Sequence, residues 1–378
     1  MEAPLRGLSK DPQTATATGP GRNFSRRSSS YTSVVVSRGS LAALVALVAA
    51  LAFAGDAFAY GWPLRPFDKP HPIRGGFGDP RTVFSLGFLA DPWSGPGSFS
   101  FHNGIDISAP GNTPVYPVAS GIAHLGVSAE IDVESPRPNG TRRTFHYEHL
   151  LPNVYDGEKV VARKTILGWV QPSAGHVHLT EIVGFQVTNP LLKGHLAPYR
   201  DTTRPRVGEI ELTRPTTGAE VGPLGICGRV AMSAEAYDRP TLPVPKPWNG
   251  LPIAPATVSW KLAKLDGTAL IPLTTVANFT TTVPSNAQFW TVYARGTYQN
   301  APRFGTQQFG AMPGRFLYQL SPSLDTRTLP NGVALLTVVA KDERLNVGAV
   351  TQRLSVFNNP RGNHCPDLPP ETTTTTAP

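Results

Sequence analysis

The sequence predicts an all-β protein built from antiparallel sheets, and three observations support this fold class. Glycine and proline are abundant, with 36 and 39 of 378 residues, so turns should be frequent. Short runs such as 130–134 alternate apolar and charged residues, which is typical of half-buried strands. Continuous helical periodicity is scarce. We therefore expect many short strands, arranged in two domains because the chain is long enough for two cores.

The N-terminal region predicts an export signal. Arg22, Arg26, Arg27 and Arg38 precede an apolar run at 41–54, and an Ala-x-Ala cleavage pattern ends at Ala59. The run is too short for a comfortable membrane span, which needs about twenty apolar residues. Cleavage after Ala59 is the favoured interpretation, and an uncleaved anchor is the alternative. We therefore expect a secreted or envelope-associated bacterial protein with no stable membrane span after signal removal.

Charge and cysteine content narrow the function classes. The formal net charge is +8, and without the +3 of residues 1–59 the remainder carries a mild excess of +5. No dense Lys/Arg cluster with interleaved aromatics occurs, so nucleic acid is not an expected partner. Only Cys227 and Cys365 are present. In an exported protein a disulfide between them is favoured over two unpaired thiols, and neither cysteine lies near the histidines considered as metal ligands.

The spacing of the histidines indicates a candidate metal site. His176 and His178 lie two apart in an apolar run, so in a β-strand both side chains project from one face. His102 and Asp106 lie upstream, and a histidine-rich run at 146–149 lies between the two motifs. One aspartate and two histidines would complete the protein side of a catalytic zinc site, leaving two histidines to move protons. The alternative for an isolated His-x-His is one core and one surface histidine.

Strand parity separates the histidines of the run 141–150. Phe145, Tyr147 and His149 share one face of the predicted strand, whereas His146 and Glu148 share the other. This pattern predicts that His146 is a surface residue.

Three motifs in order give a family resemblance. His102-x-x-x-Asp106, Tyr147-x-His149-Leu150 and His176-x-His178 resemble the lysostaphin-like (LytM-type) zinc metalloendopeptidases that cut bacterial peptidoglycan. The resemblance covers about 63–190, including the glycine-rich stretch at 75–81. It implies Zn2+ as the cofactor, held by His102, Asp106 and His178. It also implies that His149 and His176 are catalytic, without dividing their roles.

The predicted organisation follows from the resemblance and from composition. An export signal at 1–59 precedes a lysostaphin-type peptidase domain at 60–194, a linker at 195–205, an immunoglobulin- or fibronectin-like β-sandwich at 206–360, and a Pro/Thr-rich tail at 361–378. The aromatic-rich stretch 290–300 is predicted as a core strand with its edge, and a glycan- or peptide-binding surface is the alternative. We expect the second domain to be separable from the chemistry.

The function predicted from the sequence is a secreted zinc-dependent endopeptidase that hydrolyses peptide bonds of peptidoglycan, its expected partner. A catalytically silent envelope protein of the same fold, which binds a wall enzyme or glycan, is the alternative. A wall-attached adhesin whose function lies in the second domain is a third possibility. The bond that is cut and the oligomeric state stay open.

Overall fold

The fold is described from a computed structural model. The structure describes residues 59–82, 99–127, 129–136, 140–300 and 314–358. Two short strands, at 84–85 and 88–89, are also part of it. These residues form antiparallel β-sheets almost throughout, so the predicted all-β fold class is confirmed. Residues 1–58 of the predicted export signal, Cys365 and the predicted tail lie outside the described residues.

The first part of the chain contains fifteen short strands. They are β1 (Ile73–Gly75), β2 (Pro80–Arg81), β3 (Phe84–Ser85), β4 (Phe88–Leu89), β5 (Ser100–Phe101), β6 (Ile105–Ser108), β7 (Pro114–Val115), β8 (Gly121–Leu125), β9 (Ile131–Pro136), β10 (Arg142–Glu148), β11 (Leu150–Pro152), β12 (Lys159–Val160), β13 (Gly168–Val170), β14 (His176–Val183) and β15 (Gln186–Thr188).

One large sheet positions the candidate site residues. Its strand order is β1-β6-β14-β10-β9-β8-β12, and β15 pairs with β14. In this register His178 of β14 lies opposite Asp106 of β6 on one side and Glu148 of β10 on the other. Residues directly opposite in an antiparallel pair share a sheet face, so three motifs that are distant in sequence meet there.

Alternation of apolar residues explains why β9 and β10 form. Ile131 and Val133 of β9, with Phe145 and Tyr147 of β10, are fully buried on one face of the sheet. Their neighbours along each strand are only half-buried on the opposite face, as the period of two requires. The metal-ligand candidates lie on that opposite face.

The second part of the chain adds eight strands and one short helix. They are β16 (Arg206–Thr213), β17 (Leu224–Ile226), β18 (Arg229–Tyr237), β19 (Thr257–Lys264), β20 (Ala269–Asn278), α1 (Phe289–Val292), β21 (Leu317–Asp325), β22 (Gly332–Lys341) and β23 (Val347–Val356). Single 3-10 turns occur at Asn286–Gln288 and Thr326–Thr328.

These strands form two sheets of three and five strands, ordered β16-β18-β21 and β17-β23-β22-β19-β20. All pairings are antiparallel except β17 with β23. The immunoglobulin-like assignment of this region stays a prediction. The aromatic-rich stretch differs from the predicted strand, because Phe289–Val292 is helical.

An aromatic cluster joins the two parts of the chain. Phe101 of β5 packs against Phe279, Phe289 and Tyr293, with ring centroids 5.7, 5.4 and 5.8 Å away. These aromatic rings are buried. They form a core contact, and Tyr293 contributes to it from the aromatic-rich stretch 290–300. Phe101 immediately precedes the ligand candidate His102, so packing from the second part supports the metal-ligand segment directly.

The glycine-rich stretch before His102 is also held from the second part. The Asp79 carboxylate accepts hydrogen bonds from the backbone N–H of Ala254 at 2.6 Å and from the Asn300 side chain at 3.0 Å. The Tyr293 hydroxyl donates to the Gly78 carbonyl at 2.7 Å. The predicted linker is packed as well, because Leu196 and Asp201 are buried. The domain boundaries themselves stay a prediction.

Candidate metal centre

Three side chains converge on the open face of the large sheet. His102 follows β5, Asp106 lies on β6 and His178 lies on β14. The His102 Nε2 atom is 2.9 Å from His178 Nδ1 and 3.2 Å from Asp106 Oδ1, and the latter two atoms are 3.1 Å apart. All three residues are buried. The three ligand candidates therefore lie together, as the sequence predicts.

The chemistry of these atoms fits a cation. His102 Nδ1 lies 2.7 Å from the Gly76 carbonyl, which can only accept, so Nδ1 carries the proton and Nε2 presents a lone pair. Burial, followed by the charge of Arg81, lowers the pKa of His102 to about 4, so the ring is neutral at pH 7. Ligands around a tetrahedral zinc lie about 3.3 Å apart, given bonds of about 2.0 Å. The separations of 2.9 to 3.2 Å are close to this value.

Arg81 and Gly75 orient the Asp106 carboxylate. Arg81 Nη2 donates to Asp106 Oδ2 at 3.0 Å, which leaves Oδ1 directed at the two histidines. A Cβ atom at Gly75 would lie 2.5 Å from Asp106 Oδ2, so only glycine allows this approach. Burial raises the pKa of Asp106, but the histidine charges and hydrogen bonds outweigh it and hold that pKa well below its usual range.

Thr180 and Gly104 orient His178. Thr180 lies two residues further along β14 on the same face, and its Oγ1 is 2.7 Å from His178 Nε2. A proton on Nε2 leaves Nδ1 free to bind a metal, and such partners of metal-binding histidines fix the ring and its tautomer. A Cβ atom at Gly104 would lie 2.7 Å from both His178 Nε2 and Thr180 Oγ1. The glycine within the first motif therefore makes room for the ligand of the last.

His149 and His176 lie beside the three ligand candidates and face each other. Their ring centroids are 4.3 Å apart, and His176 Nε2 is 3.5 Å from Asp106 Oδ1. The His149 side chain is 39% exposed, whereas that of His176 is 6% exposed. Burial lowers the pKa of both rings, in the case of His176 to about 3. The structure thus brings all five predicted site residues together.

The parity argument that placed His149 was wrong. Strand β10 ends at Glu148, and His149 has a left-handed φ of 67° that turns its side chain out of the alternation. His146 is not an isolated surface residue either. It shares the face of His178, with ring centroids 6.4 Å apart. Its two ring nitrogens contact Asp132 at 2.7 Å and Glu148 at 3.0 Å.

Two further groups of potential ligands occur among the described residues. They are Glu130 with His146 and Glu148, and Asp201 with Asp238 and Asp342. In the second group, burial followed by the charge of Asp201 raises the pKa of Asp238 to about 8. Neither group was foreseen from the sequence.

Residues outside the three motifs complete the surroundings of the site. Arg74 Nη2 lies 3.3 Å from His176 Nε2, and the Trp248 ring lies 3.9 Å from the Arg74 guanidinium carbon. Thr180 could have been found from its spacing, because His-x-His-x-Thr places all three side chains on one strand face. Trp248 belongs to the second part of the chain, and no sequence signal connects it to the motifs.

Comparison with known proteins gives partial structural similarity. No protein-family model matches the chain. No curated protein matches it either. Among solved structures, the catalytic domain of a variant of the prophage-encoded M23 protein EnpA from Enterococcus faecalis is 22% identical. The match covers 34% of this chain and 88% of that one, with a TM-score of 0.23.

Two other solved structures give similar figures. LytU is 20% identical over 32% of this chain and 79% of its own, with a TM-score of 0.22. The M23 metalloprotease pseudoalterin is 18% identical over 38% of this chain and 81% of its own, with a TM-score of 0.25. The chain is thus similar to solved M23 peptidases over about a third of its length.

Two further observations concern the cysteines and the helices of the described residues. Cys227 is disulfide-bonded in the structure. Among the described residues, no helix is long and apolar enough to cross a membrane.

Proposed function

We propose that this protein is a secreted zinc-dependent endopeptidase that hydrolyses peptide bonds of bacterial peptidoglycan. The observation that supports the proposal best is the convergence of His102 Nε2, Asp106 Oδ1 and His178 Nδ1 within 3.2 Å of one another. The Gly76 carbonyl leaves His102 Nε2 able to bind a cation. His178 Nδ1 is able to do the same when His178 Nε2 donates its proton to Thr180 Oγ1. The motif resemblance supplies the reaction type and the substrate class.

His102, Asp106 and His178 would hold the zinc ion. When bound there, zinc supplies Lewis acidity toward a peptide carbonyl and toward water. Arg81 keeps the Asp106 carboxylate in place through its Oδ2 atom. Thr180 does the same for the His178 ring. The remaining chemistry falls to side chains that hold and move protons.

We assign the proton transfer to His149. His176 Nδ1 lies 2.9 Å from the Ala174 carbonyl and therefore carries a proton, so its Nε2 lone pair faces the Arg74 guanidinium at 3.3 Å. His149 is the more exposed ring, and its Nε2 lies 3.9 Å from Glu148 Oε2. His149 would take the proton from the attacking water and return it to the leaving amine. His176 would orient the His149 ring by packing against it.

The test is digestion of purified peptidoglycan and soluble muropeptides, with released peptides and new amino termini identified by mass spectrometry. We expect cleavage by the zinc-loaded protein, loss of cleavage on chelation and recovery on addition of zinc. Asp106→Asn keeps the side-chain shape but removes the charge, and it should be inactive. Wall binding by a zinc-loaded wild-type protein that releases no peptide would contradict the proposal and favour the catalytically silent alternative.

A further inference from the structure

Arg74 is a half-buried guanidinium at the edge of the candidate metal centre. It lies in the middle of β1, where Nη1 donates to the Ala174 carbonyl at 3.0 Å and Nη2 lies 3.3 Å from His176 Nε2. These contacts place the guanidinium next to the histidine pair, so a group bound to it would lie close to the reacting bond.

The hydrogen-bonding capacity of Arg74 is only partly used. An arginine has five N–H donors, and two of them meet the Ala174 and His176 acceptors. The Nε atom is buried without an acceptor. The remaining N–H groups on Nη1 and Nη2 have no acceptor among the described residues. Paired terminal N–H groups match the geometry of a carboxylate.

Two other arginines, Arg81 and Arg143, show the contrast. Arg81 pairs with Asp106 at 3.0 Å, and Arg143 pairs with Glu181 at 2.7 Å. Within the described part of the chain, no carboxylate lies within ion-pair distance of Arg74, and the Asp106 charge acts on it from a greater distance. Partial burial removes water from the guanidinium, which makes an anionic ligand a suitable partner for this side chain.

Trp248 fixes the guanidinium from the second part of the chain. Its half-buried ring lies 3.9 Å from the Arg74 guanidinium carbon, which is cation–π distance. The Asn300 side chain donates to the Arg74 carbonyl at 3.2 Å and so holds the backbone of β1 as well. These contacts hold Arg74 in place and do not use the remaining N–H groups on Nη1 and Nη2.

We propose that Arg74, supported by Trp248, is a specificity-determining residue that binds a carboxylate of the peptide substrate beside the scissile bond. The inference rests on the proposed function for the identity of the substrate. A carboxylate next to the cleaved bond has two sources, the free C-terminus of a short peptide and an acidic side chain. Both have the chemistry that Arg74 recognises.

The first test measures binding on the full chain by titration calorimetry, in the metal-free and the zinc-loaded forms, so that it does not depend on turnover. The probes are N-acetyl-alanyl-glycyl-alanine with a free carboxylate and as its amide, and N-acetyl-alanyl-glutamyl-alanine amide with its glutamine counterpart. We expect at least one carboxylate peptide to bind about 10- to 100-fold more tightly than its neutral partner, the range of a charged hydrogen-bond pair.

Variants of Arg74 and Trp248 test whether the carboxylate preference depends on Arg74. Arg74→Met, which keeps the side-chain bulk, should abolish the preference for the carboxylate peptide. Arg74→Lys should retain part of that preference, because the charge remains but the paired guanidinium N–H donors are lost. Trp248→Leu should weaken carboxylate binding about threefold to tenfold. The inference is overturned if the wild type shows no carboxylate preference, if it binds none of the four peptides, or if Arg74→Met keeps the preference. Thermal unfolding of each variant checks that it is folded.

A kinetic readout separates substrate binding from a role in the reaction itself. With the zinc-loaded enzyme, Arg74→Met should raise KM for the carboxylate substrate by a larger factor than for the amide substrate, and any change in kcat should be smaller than that change in KM. An equal loss of kcat on both substrates would assign Arg74 to the histidine pair and overturn the inference. A carboxylate preference in a wild-type protein that hydrolyses nothing would refute the proposed function and leave this inference standing.

Discussion

Gly104 shows how one residue without a side chain controls the site. The glycine lies between His102 and Asp106, and its Cα faces the β14 strand. A methyl group there would lie 2.5 Å from the Leu179 carbonyl and 2.7 Å from His178 Nε2. Strand β14 would have to shift, and the hydrogen bond of Thr180 to the His178 ring would be lost.

We therefore expect Gly104→Ala to lower metal affinity about 10- to 100-fold, the usual effect of losing a partner of a metal-binding histidine. Competition with a chromogenic zinc chelator measures this affinity. Gly222→Ala is the control, because nothing lies within 4 Å of a Cβ atom built there. An unchanged zinc affinity in Gly104→Ala would show that the position of His178 does not depend on this glycine.

His149 is the second residue with a specific expectation. His149→Ala should keep the metal, because His149 is outside the converging triad, and should lose activity about a hundredfold or more, as expected for a positioned acid or base. Metal content and muropeptide hydrolysis are measured on the same preparation. His124→Ala, at an exposed position, is the control. Loss of the metal in His149→Ala would remove the proposed separation of roles.

At the scale of the element, strand β10 links the candidate metal centre to a charged triplet. His146 lies between Asp132 of β9 and Glu148 of its own strand. Burial lowers the pKa of His146, but the hydrogen bonds that its ring donates to these carboxylates raise it to about 10. The charged form of His146 therefore stabilises the fold below its ordinary pKa, and this contribution is lost as the pH rises through about 10.

His146→Gln tests this linkage. We expect the variant to be less stable than the wild type by about 2 kcal/mol at pH 6, since hydrogen bonds to charged groups contribute about that much. The difference should shrink steadily toward pH 10. Urea unfolding at several pH values measures it, with His124→Gln as the surface control. A stability difference independent of pH would mean that His146 acts through packing and not through its charge.

The same strand shows what sequence could and could not predict. Alternation correctly placed Phe145 and Tyr147 on one face of β10, and the three residues that the family resemblance names as ligands, His102, Asp106 and His178, lie together in the structure. Alternation failed at His149, because a single left-handed residue ends β10 and redirects the side chain. A backbone reversal of this kind leaves no periodic signal.

At the scale of the whole molecule, the second part of the chain supports the candidate metal centre. Asn300 is 1% exposed, and its side chain donates to Asp79 at 3.0 Å and to the Pro252 carbonyl at 2.8 Å. Asp79 in turn accepts from the Gly76 backbone N–H at 2.8 Å, and the Gly76 carbonyl holds His102. Such contacts join segments distant in sequence, so composition and motif spacing could not predict them.

We expect Asn300→Ala to destabilise the protein by about 2 to 4 kcal/mol, because it leaves buried acceptors without a donor. Zinc affinity should fall with stability, since Asp79 and Gly76 lose their support. Thermal unfolding and zinc competition are the measurements. Asn278→Ala, at an exposed strand end, is the control. A destabilised variant with unchanged zinc affinity would show that the second part supports the fold without supporting the site.

The central claim is that three side chains hold a zinc ion, and metal analysis of the purified protein tests it most directly. We predict one zinc per chain in the wild type and in the control His124→Ala. His178→Ala should lose the metal, because two remaining ligands bind zinc far more weakly than three. Stoichiometric zinc retained by a folded His178→Ala protein, or no zinc bound by the wild type under zinc-replete conditions, would contradict the account.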